Sequence, residues 1–110
     1  MSSPVQEKRL HARKECRTRV IFEDEFREGL FYVYSKDVSL GGLFLESDIP
    51  VRVGTMLFLS FALPKKKRPL SATGEVVRVL GPGGAASGMG IRFVGLSEKA
   101  RSALEKFLNY

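Results

Sequence analysis

Residues 55–63 read TMLFLSFAL, and this stretch decides the fold class because its apolar side chains recur with a period of two. In an extended strand, alternate side chains point to opposite faces. The predicted core face consists of Leu57, Leu59, Phe61 and Leu63. The opposite face is partly apolar, and we expect it to be covered as well: it carries Met56, Phe58, Ser60 and Ala62.

Further strands are predicted on both sides of this stretch. β-Branched and aromatic residues favour extended structure at 16–23, 30–35, 43–45, 70–80 and 88–94. Turn-forming residues separate these segments, including a basic hairpin loop at 64–69 and a glycine-rich turn at 81–84. After Leu96 the apolar spacing changes to three and four, which predicts a helix over about 97–109 with Ser97 as its N-cap. Six or seven short strands followed by one helix predict a mainly β fold, a small antiparallel barrel capped by the helix.

Composition indicates a single globular domain with an anionic partner. The chain has 110 residues and a net charge of +6, with basic residues crowded near the amino end and at 65–68. We expect residues 1–14 to form a flexible basic arm and residues 15–110 to form the barrel domain. The single cysteine, Cys16, favours a cytoplasmic location. No apolar run is long enough to span a membrane, and the first residues do not resemble a signal peptide.

Arg9 and Arg13 form an R-x-x-x-R pattern within this basic segment. A planar guanidinium donates two parallel hydrogen bonds to a phosphate or to the guanine O6 and N7 atoms. On an extended arm the two side chains point the same way, so they are able to hold one ligand. The alternative interpretation is an ordinary solvated tail. Arg13 and Arg17 repeat the same spacing, but we prefer the first pair because Arg17 is predicted to lie within the first strand.

Asp37, Ser39 and Gly42 form a D-x-S-x-x-G pattern where a strand is predicted to turn. Asp37 has the chemistry to accept hydrogen bonds from the guanine ring N–H and amino group, and Ser39 to donate one to a phosphate. Gly41 and Gly42 permit unusual backbone angles and close ligand approach. The alternative is a turn stabilised by the Asp or Ser side chain.

Together these patterns resemble the PilZ domain, a bacterial receptor module for cyclic di-GMP, over nearly the whole chain. Residues 54–55 (GT), 74–79 (GEVVRV) and 88–93 (GMGIRF) also resemble that family. The resemblance implies a six-stranded antiparallel, split β-barrel of the PilZ type with a C-terminal α-helix. It also implies a sensor and adaptor domain that couples cyclic-di-GMP binding to docking of its N-terminal arm and to contact with a protein effector.

The resemblance implies which residues bind the ligand. The expected cyclic-di-GMP-binding residues are Lys8, Arg9, Arg13, Asp37, Ser39, Gly41 and Gly42, with Arg17 and Arg92 as further candidates. Lys8 stands where many relatives carry a third arginine, and it lacks the planar stacking surface of a guanidinium. Two stoichiometries therefore stay open, one bound ligand or a stacked pair.

Other functions have less support in the sequence. Cys16 and His11 lack a further residue that would orient them for catalysis, so we do not expect the protein to be an enzyme. One His with one Cys does not form a usual zinc site, so we expect neither a bound metal nor a cofactor. The first alternative function is a ligand-free PilZ-like interaction module that uses the face around Met56 and Phe58. A small nucleic-acid-binding barrel is ranked last, because no aromatic platform is interleaved with the basic clusters.

Overall fold

The computed structural model describes residues 13–81 and 87–109, and these form seven strands and one helix. The strands are β1 Lys14–Glu15, β2 Arg19–Asp24, β3 Leu30–Val38, β4 Gly42–Glu46, β5 Met56–Phe61, β6 Leu70–Leu80 and β7 Gly88–Leu96, and the helix is α1 Glu98–Leu108. Lys8, Arg9, His11 and most of the predicted glycine-rich turn lie outside the described residues.

Six of the strands close into an antiparallel barrel. The hydrogen-bonded order is β3-β2-β5-β6-β7-β4, and pairing between β3 and β4 completes the ring. β1 is a seventh strand of two residues, and it pairs with the end of β3. It lies on the same edge of β3 as β2, because β4 occupies the other edge. The predicted mainly β barrel with a C-terminal helix is confirmed.

The interior of the barrel is filled by alternate side chains of the strands. Leu57, Leu59, Phe61 and Leu63 are each at most 3% exposed, as their spacing predicts. The opposite face of β5 is covered only in part, because Met56, Ser60 and Ala62 are half-buried but Phe58 is 40% exposed. Its ring lies on the outer surface, with the guanidinium carbon of Arg27 5.8 Å from the ring centroid.

Between β1 and β2 the chain is held to β3 by isolated backbone hydrogen bonds and by one side chain, not by a continuous strand ladder. The Cys16 N–H donates to the Lys36 carbonyl oxygen (3.0 Å) and the Ser35 N–H donates to the Thr18 carbonyl oxygen (2.9 Å). Ser35 is fully buried; its hydroxyl donates to the Cys16 carbonyl oxygen (2.5 Å) and accepts from the Thr18 backbone N–H (3.1 Å). These bonds occupy backbone groups that a strand ladder would use, so β2 begins at Arg19 and not at Cys16 as predicted. Arg17 consequently precedes β2.

The helix packs its apolar stripe against the barrel. Ser97 is its N-cap, because the Ser97 hydroxyl accepts from the Ala100 N–H at 3.1 Å. Ala100 and Leu104 are buried, and Leu104 belongs to the same core as the barrel interior. Among the described residues, no helix has the length and apolar character needed to cross a membrane.

Candidate functional site

A β-bulge in β3 decides which way Asp37 points. Val33 and Ser35 face the barrel interior, and strict alternation would send the Asp37 side chain there as well. Ser35 pairs with Leu45 and Asp37 pairs with the adjacent residue of β4, so Lys36 is the extra residue of the bulge. The alternation therefore shifts by one, and the Asp37 carboxylate lies on the outer face of the barrel.

Arg13 lies directly beside this carboxylate. β1 pairs with the end of β3, with Glu15 opposite Asp37, and this pairing brings the preceding residues of the chain to the same place. The Arg13 Nη1 atom is 3.9 Å from the Asp37 Oδ1 atom, and the two side chains are 46% and 20% exposed. Because this distance is long for a charge-assisted hydrogen bond, both groups keep capacity to bind a ligand.

Ser39 organises the turn between β3 and β4. Its hydroxyl accepts from the backbone N–H groups of Gly41 (3.1 Å) and Gly42 (3.2 Å) and lies 3.3 Å from the Gly42 carbonyl oxygen, to which it donates. The Ser39 N–H also donates to the Gly42 carbonyl oxygen at 2.8 Å. The Ser-stabilised turn considered from the sequence is thus present, and it shapes the backbone next to Asp37.

Gly42 is required by close packing and not by an unusual backbone angle. Neither Gly41 nor Gly42 has a positive φ, in contrast to the sequence-based expectation. A Cβ atom added at Gly42 would lie 1.9 Å from the Ile91 carbonyl oxygen of β7, a distance that no side chain tolerates. The glycine lets β4 approach β7, and the Gly41 carbonyl oxygen accepts from the Phe93 N–H at 2.8 Å.

An open cavity of about 680 Å³ lies over these residues. It brings together five of the predicted ligand residues, namely Arg13, Asp37, Ser39, Gly41 and Gly42. Arg92 also lines it, and so do several residues that were not among the predicted ligand residues, including Phe44, Arg78 and Arg101. The cavity therefore carries four arginines from β6, β7, α1 and the segment before β1, against the single carboxylate of Asp37.

The cavity is positively charged because its arginines are only partly neutralised. Arg92 Nη2 lies 2.6 Å from Glu75 Oε1, so this guanidinium is already paired across β6 and β7. Arg78 and Arg101 have no ion pair within residues 13–81 and 87–109. A lining with this excess of guanidinium groups suits an anionic ligand.

The sequence contained no local signal that Arg78 or Arg101 binds a ligand, although Arg78 lies in one of the runs that resemble the PilZ family. Arg78 lies in the run VVRV, which predicts only a strand, and Arg101 lies on a predicted amphipathic helix. Both reach the site only because β6 pairs with β7 in the barrel, and because the helix packs against these two strands. Spacing along the chain does not encode that approach.

Arg17 is not brought into the cavity. Its Nε atom lies 3.6 Å from Glu46 Oε1, and its guanidinium carbon is 4.0 Å from the Tyr34 ring centroid. These contacts hold the side chain on another part of the outer surface. Lys8 and Arg9 lie outside the described residues, so their ligand role stays a prediction.

Cys16 has the environment of a structural thiol. It is buried, and burial raises its pKa while the nearby Lys14 charge opposes that rise. A raised pKa keeps the thiol protonated and unreactive near neutral pH. Among the described residues, no group of three His, Cys, Asp or Glu side chains is placed to bind a metal ion.

A family model of the PilZ domain matches residues 7–110. Solved structures with the same fold include the Bacillus subtilis inhibitor of motility MotI/DgrA, at 19% identity and a TM-score of 0.79, covering 93% of this chain and 49% of that one. They also include the PilZ domain of YcgR from Escherichia coli with c-di-GMP, at 13% identity, a TM-score of 0.69 and coverage of 93% and 89%. A third is the PilZ domain of CeSA from a cellulose-synthesizing bacterium, at 13% identity, a TM-score of 0.63 and coverage of 89% and 95%.

The chain spans about half the length of the MotI/DgrA chain. No match was found among curated protein sequences.

Proposed function

The chain belongs to the PilZ domain family, and we propose that it is a sensor and adaptor domain that binds cyclic di-GMP in the cavity beside Asp37. PilZ domains are regulatory domains that bind cyclic di-GMP as a ligand, and they are not enzymes. One observation carries the proposal for this chain: residues distant in sequence, Arg13 and the Asp37 to Gly42 turn, line one positively charged cavity.

The groups in the cavity match the parts of a guanine nucleotide. The Asp37 carboxylate accepts hydrogen bonds from the guanine ring N–H and amino group, which are donors. The Arg13 guanidinium binds a phosphate or the guanine O6 and N7 edge, which are acceptors. The small Gly41 and Gly42 leave the floor beside the Ser39 turn open to the ligand. Arg9 and Lys8, four and five residues before Arg13, add charge from the arm.

Ligand binding would stabilise docking of the arm. Arg13 lies at the end of the arm and Asp37 belongs to the barrel, so a ligand that contacts both bridges the two parts. A ligand shifts such an equilibrium only by its difference in affinity for the docked and undocked states. The docked arm would then present a different surface to the protein effector. We place this signalling in the bacterial cytoplasm, which is a prediction from the sequence.

Isothermal titration calorimetry with cyclic di-GMP tests the proposal. Each charge-assisted contact contributes roughly 1.5–3 kcal/mol, so Arg13→Ala and Asp37→Ala should each weaken binding about tenfold or more. Arg19→Ala is the matched control, because Arg19 lies over the Tyr32 ring and away from the cavity lining. Absence of binding by the wild-type protein at tens-of-micromolar concentrations would overturn the proposal.

A second candidate function is a ligand-free interaction module, and the exposed apolar surface favours it. Leu30 and Tyr32 of β3 and Phe58 of β5 are 57%, 59% and 40% exposed, on the two strands that flank β2. Large exposed side chains of this kind are enriched where proteins bind one another. A set of binding partners that is the same with and without cyclic di-GMP, and insensitive to Arg9→Ala and Arg13→Ala, would support this candidate over the sensor.

A further inference from the structure

A second β-bulge lies on β6, at the side of the cavity away from β3. Val76 pairs with Ile91 and Arg78 pairs with Gly90, so Val77 is the extra residue. Val76 is fully buried, whereas Arg78 is exposed on the outer face. Bulges commonly redirect a side chain at a binding site, and this one turns the Arg78 guanidinium toward the cavity.

Arg78 and Asp37 stand at opposite ends of one row of paired residues. Asp37 of β3 pairs with Phe44 of β4, Phe44 pairs with Gly90 of β7, and Gly90 pairs with Arg78 of β6. Adjacent strands are about 4.8 Å apart, so the row is about 14 Å long at the backbone. The cavity therefore extends well beyond the reach of the motif residues at its β3 end.

The Arg78 side chain is held on the cavity floor. A Cβ atom at Gly90 would lie 3.6 Å from Arg78 Cβ and 3.7 Å from Arg78 Nε, so the arginine stem crosses the space that this glycine leaves free. Its guanidinium carbon lies 6.0 Å from the Phe44 ring centroid. Phe44 is buried but is not part of the barrel core, because it packs on the outer face beneath Arg78.

Arg101 approaches the same cavity from α1. The Arg101 N–H donates to the Ser97 carbonyl oxygen at 2.9 Å, in the first turn of the helix. The neighbouring Ala100 is 1% exposed, which fixes this turn against the barrel while Arg101 stays on the exposed side. Within the part of the chain that the structure describes, Arg78 and Arg101 are the arginines of the cavity without a carboxylate partner.

We propose that Arg78 and Arg101 form a second anion subsite, which binds the phosphodiester of the ligand that lies farther from Asp37. This inference rests on the proposed function and names the residues that complete its site. A cyclic dinucleotide carries two phosphodiester charges, and these two guanidinium groups are the ones that ion pairs leave uncompensated. A ligand bound in this way contacts β3, β6 and α1 together, so its binding stabilises the docked position of the helix.

The test is calorimetry with cyclic di-GMP on Arg78→Gln, Arg101→Gln and the double variant. Glutamine keeps an aliphatic stem over Phe44 and is a good helix former, so both single variants should fold; thermal melting checks this. We expect about tenfold weaker binding for Arg78→Gln and about threefold for the more exposed Arg101→Gln. Arg68→Gln, in the β5–β6 connection outside the cavity lining, removes the same charge and should leave the affinity within about twofold.

A second readout follows the helix itself. Cyclic di-GMP should slow amide hydrogen exchange in α1 of the wild-type protein, and this slowing should be lost in Arg101→Gln. The subsite is overturned, with the proposed function intact, if the wild type binds and both single variants bind within about twofold of it. If Arg68→Gln weakened cyclic-di-GMP binding as much as Arg78→Gln does, the subsite would also be overturned, because the loss would then reflect the overall charge of the protein. A wild type that fails to bind removes the proposed function, and the subsite with it.

Discussion

Asp37 and Arg78 lie at the two ends of one register row that crosses β3, β4, β7 and β6, and each lies at a β-bulge. The two bulges turn a carboxylate and a guanidinium outward onto the same surface. Regular alternation along β3 would instead place the Asp37 side chain in the core. The site is thus built from two local interruptions of the barrel and the cavity between them.

Gly42→Ala should destabilise the barrel and weaken ligand binding together. The added Cβ atom would collide with the Ile91 carbonyl oxygen, so β4 and β7 must separate next to the cavity. We expect a loss of about 2 kcal/mol or more in the free energy of unfolding, measured by urea denaturation. Gly95→Ala is the control, because a Cβ there meets only Thr73 at ordinary contact distance. Equal stability of the two variants would contradict the packing argument.

Ser35→Ala should lower stability by about 2 kcal/mol. The variant leaves the Cys16 carbonyl oxygen and the Thr18 N–H without their partner in a fully buried place. Chemical denaturation measures the loss, and Ser60→Ala on the half-buried outer side of β5 serves as the control. An unchanged midpoint for Ser35→Ala would show that water or a shifted backbone replaces these bonds.

Arg17→Ala should leave cyclic-di-GMP binding unchanged, within about twofold. The Arg17 guanidinium contacts Glu46 and the Tyr34 ring, and it does not line the cavity. Calorimetry of this variant beside Arg9→Ala and Arg13→Ala therefore tests which R-x-x-x-R pair is used. A tenfold loss in Arg17→Ala would instead favour the pair Arg13 and Arg17.

Lys14→Gln should loosen the end of α1 without changing the barrel. The Lys14 ammonium donates to the Phe107 carbonyl oxygen at 3.1 Å and lies 4.4 Å from the Phe107 ring centroid. An exposed cation at a helix C-terminus stabilises the helix by about 0.5 kcal/mol. Its loss should therefore make amide exchange in the last turn roughly twofold faster. Lys36→Gln is the matched control on β3. The same exchange rates in both variants would show that the arm and the helix are not coupled here.

Cys16 should react slowly with iodoacetamide in the folded protein. Its raised pKa means that less of the reactive thiolate is present at a given pH, and burial restricts access as well. Mass spectrometry of labelling at pH 8, compared with the urea-unfolded protein at the same pH, measures the difference. Similar rates in the two states would contradict a buried, protonated thiol.

Much of the architecture follows from the sequence because it depends on local periodicity. The alternation in residues 55–63 predicts which side chains of β5 are buried, and the change of period after Leu96 predicts α1. The outer side of β5 was predicted less well: alternation identifies Phe58 as opposite the core but does not say whether anything covers it. The start of β2 was predicted too early. The buried Ser35 hydroxyl bonds the Cys16 carbonyl oxygen and the Thr18 N–H, so these backbone groups do not take part in a strand ladder.

Residue order along the chain was enough to identify the strand segments of a small β-barrel, its terminal helix, and the two polar patterns around Arg13 and Asp37. The outward direction of Asp37, and its meeting with Arg78 and Arg101 in one cavity, follow from contacts that exist only in the folded protein. Periodicity describes each strand alone, and so it does not reveal a bulge that shifts the register of two paired strands. Closure of the barrel and packing of α1 bring distant arginines together, and both depend on contacts between elements far apart in the chain.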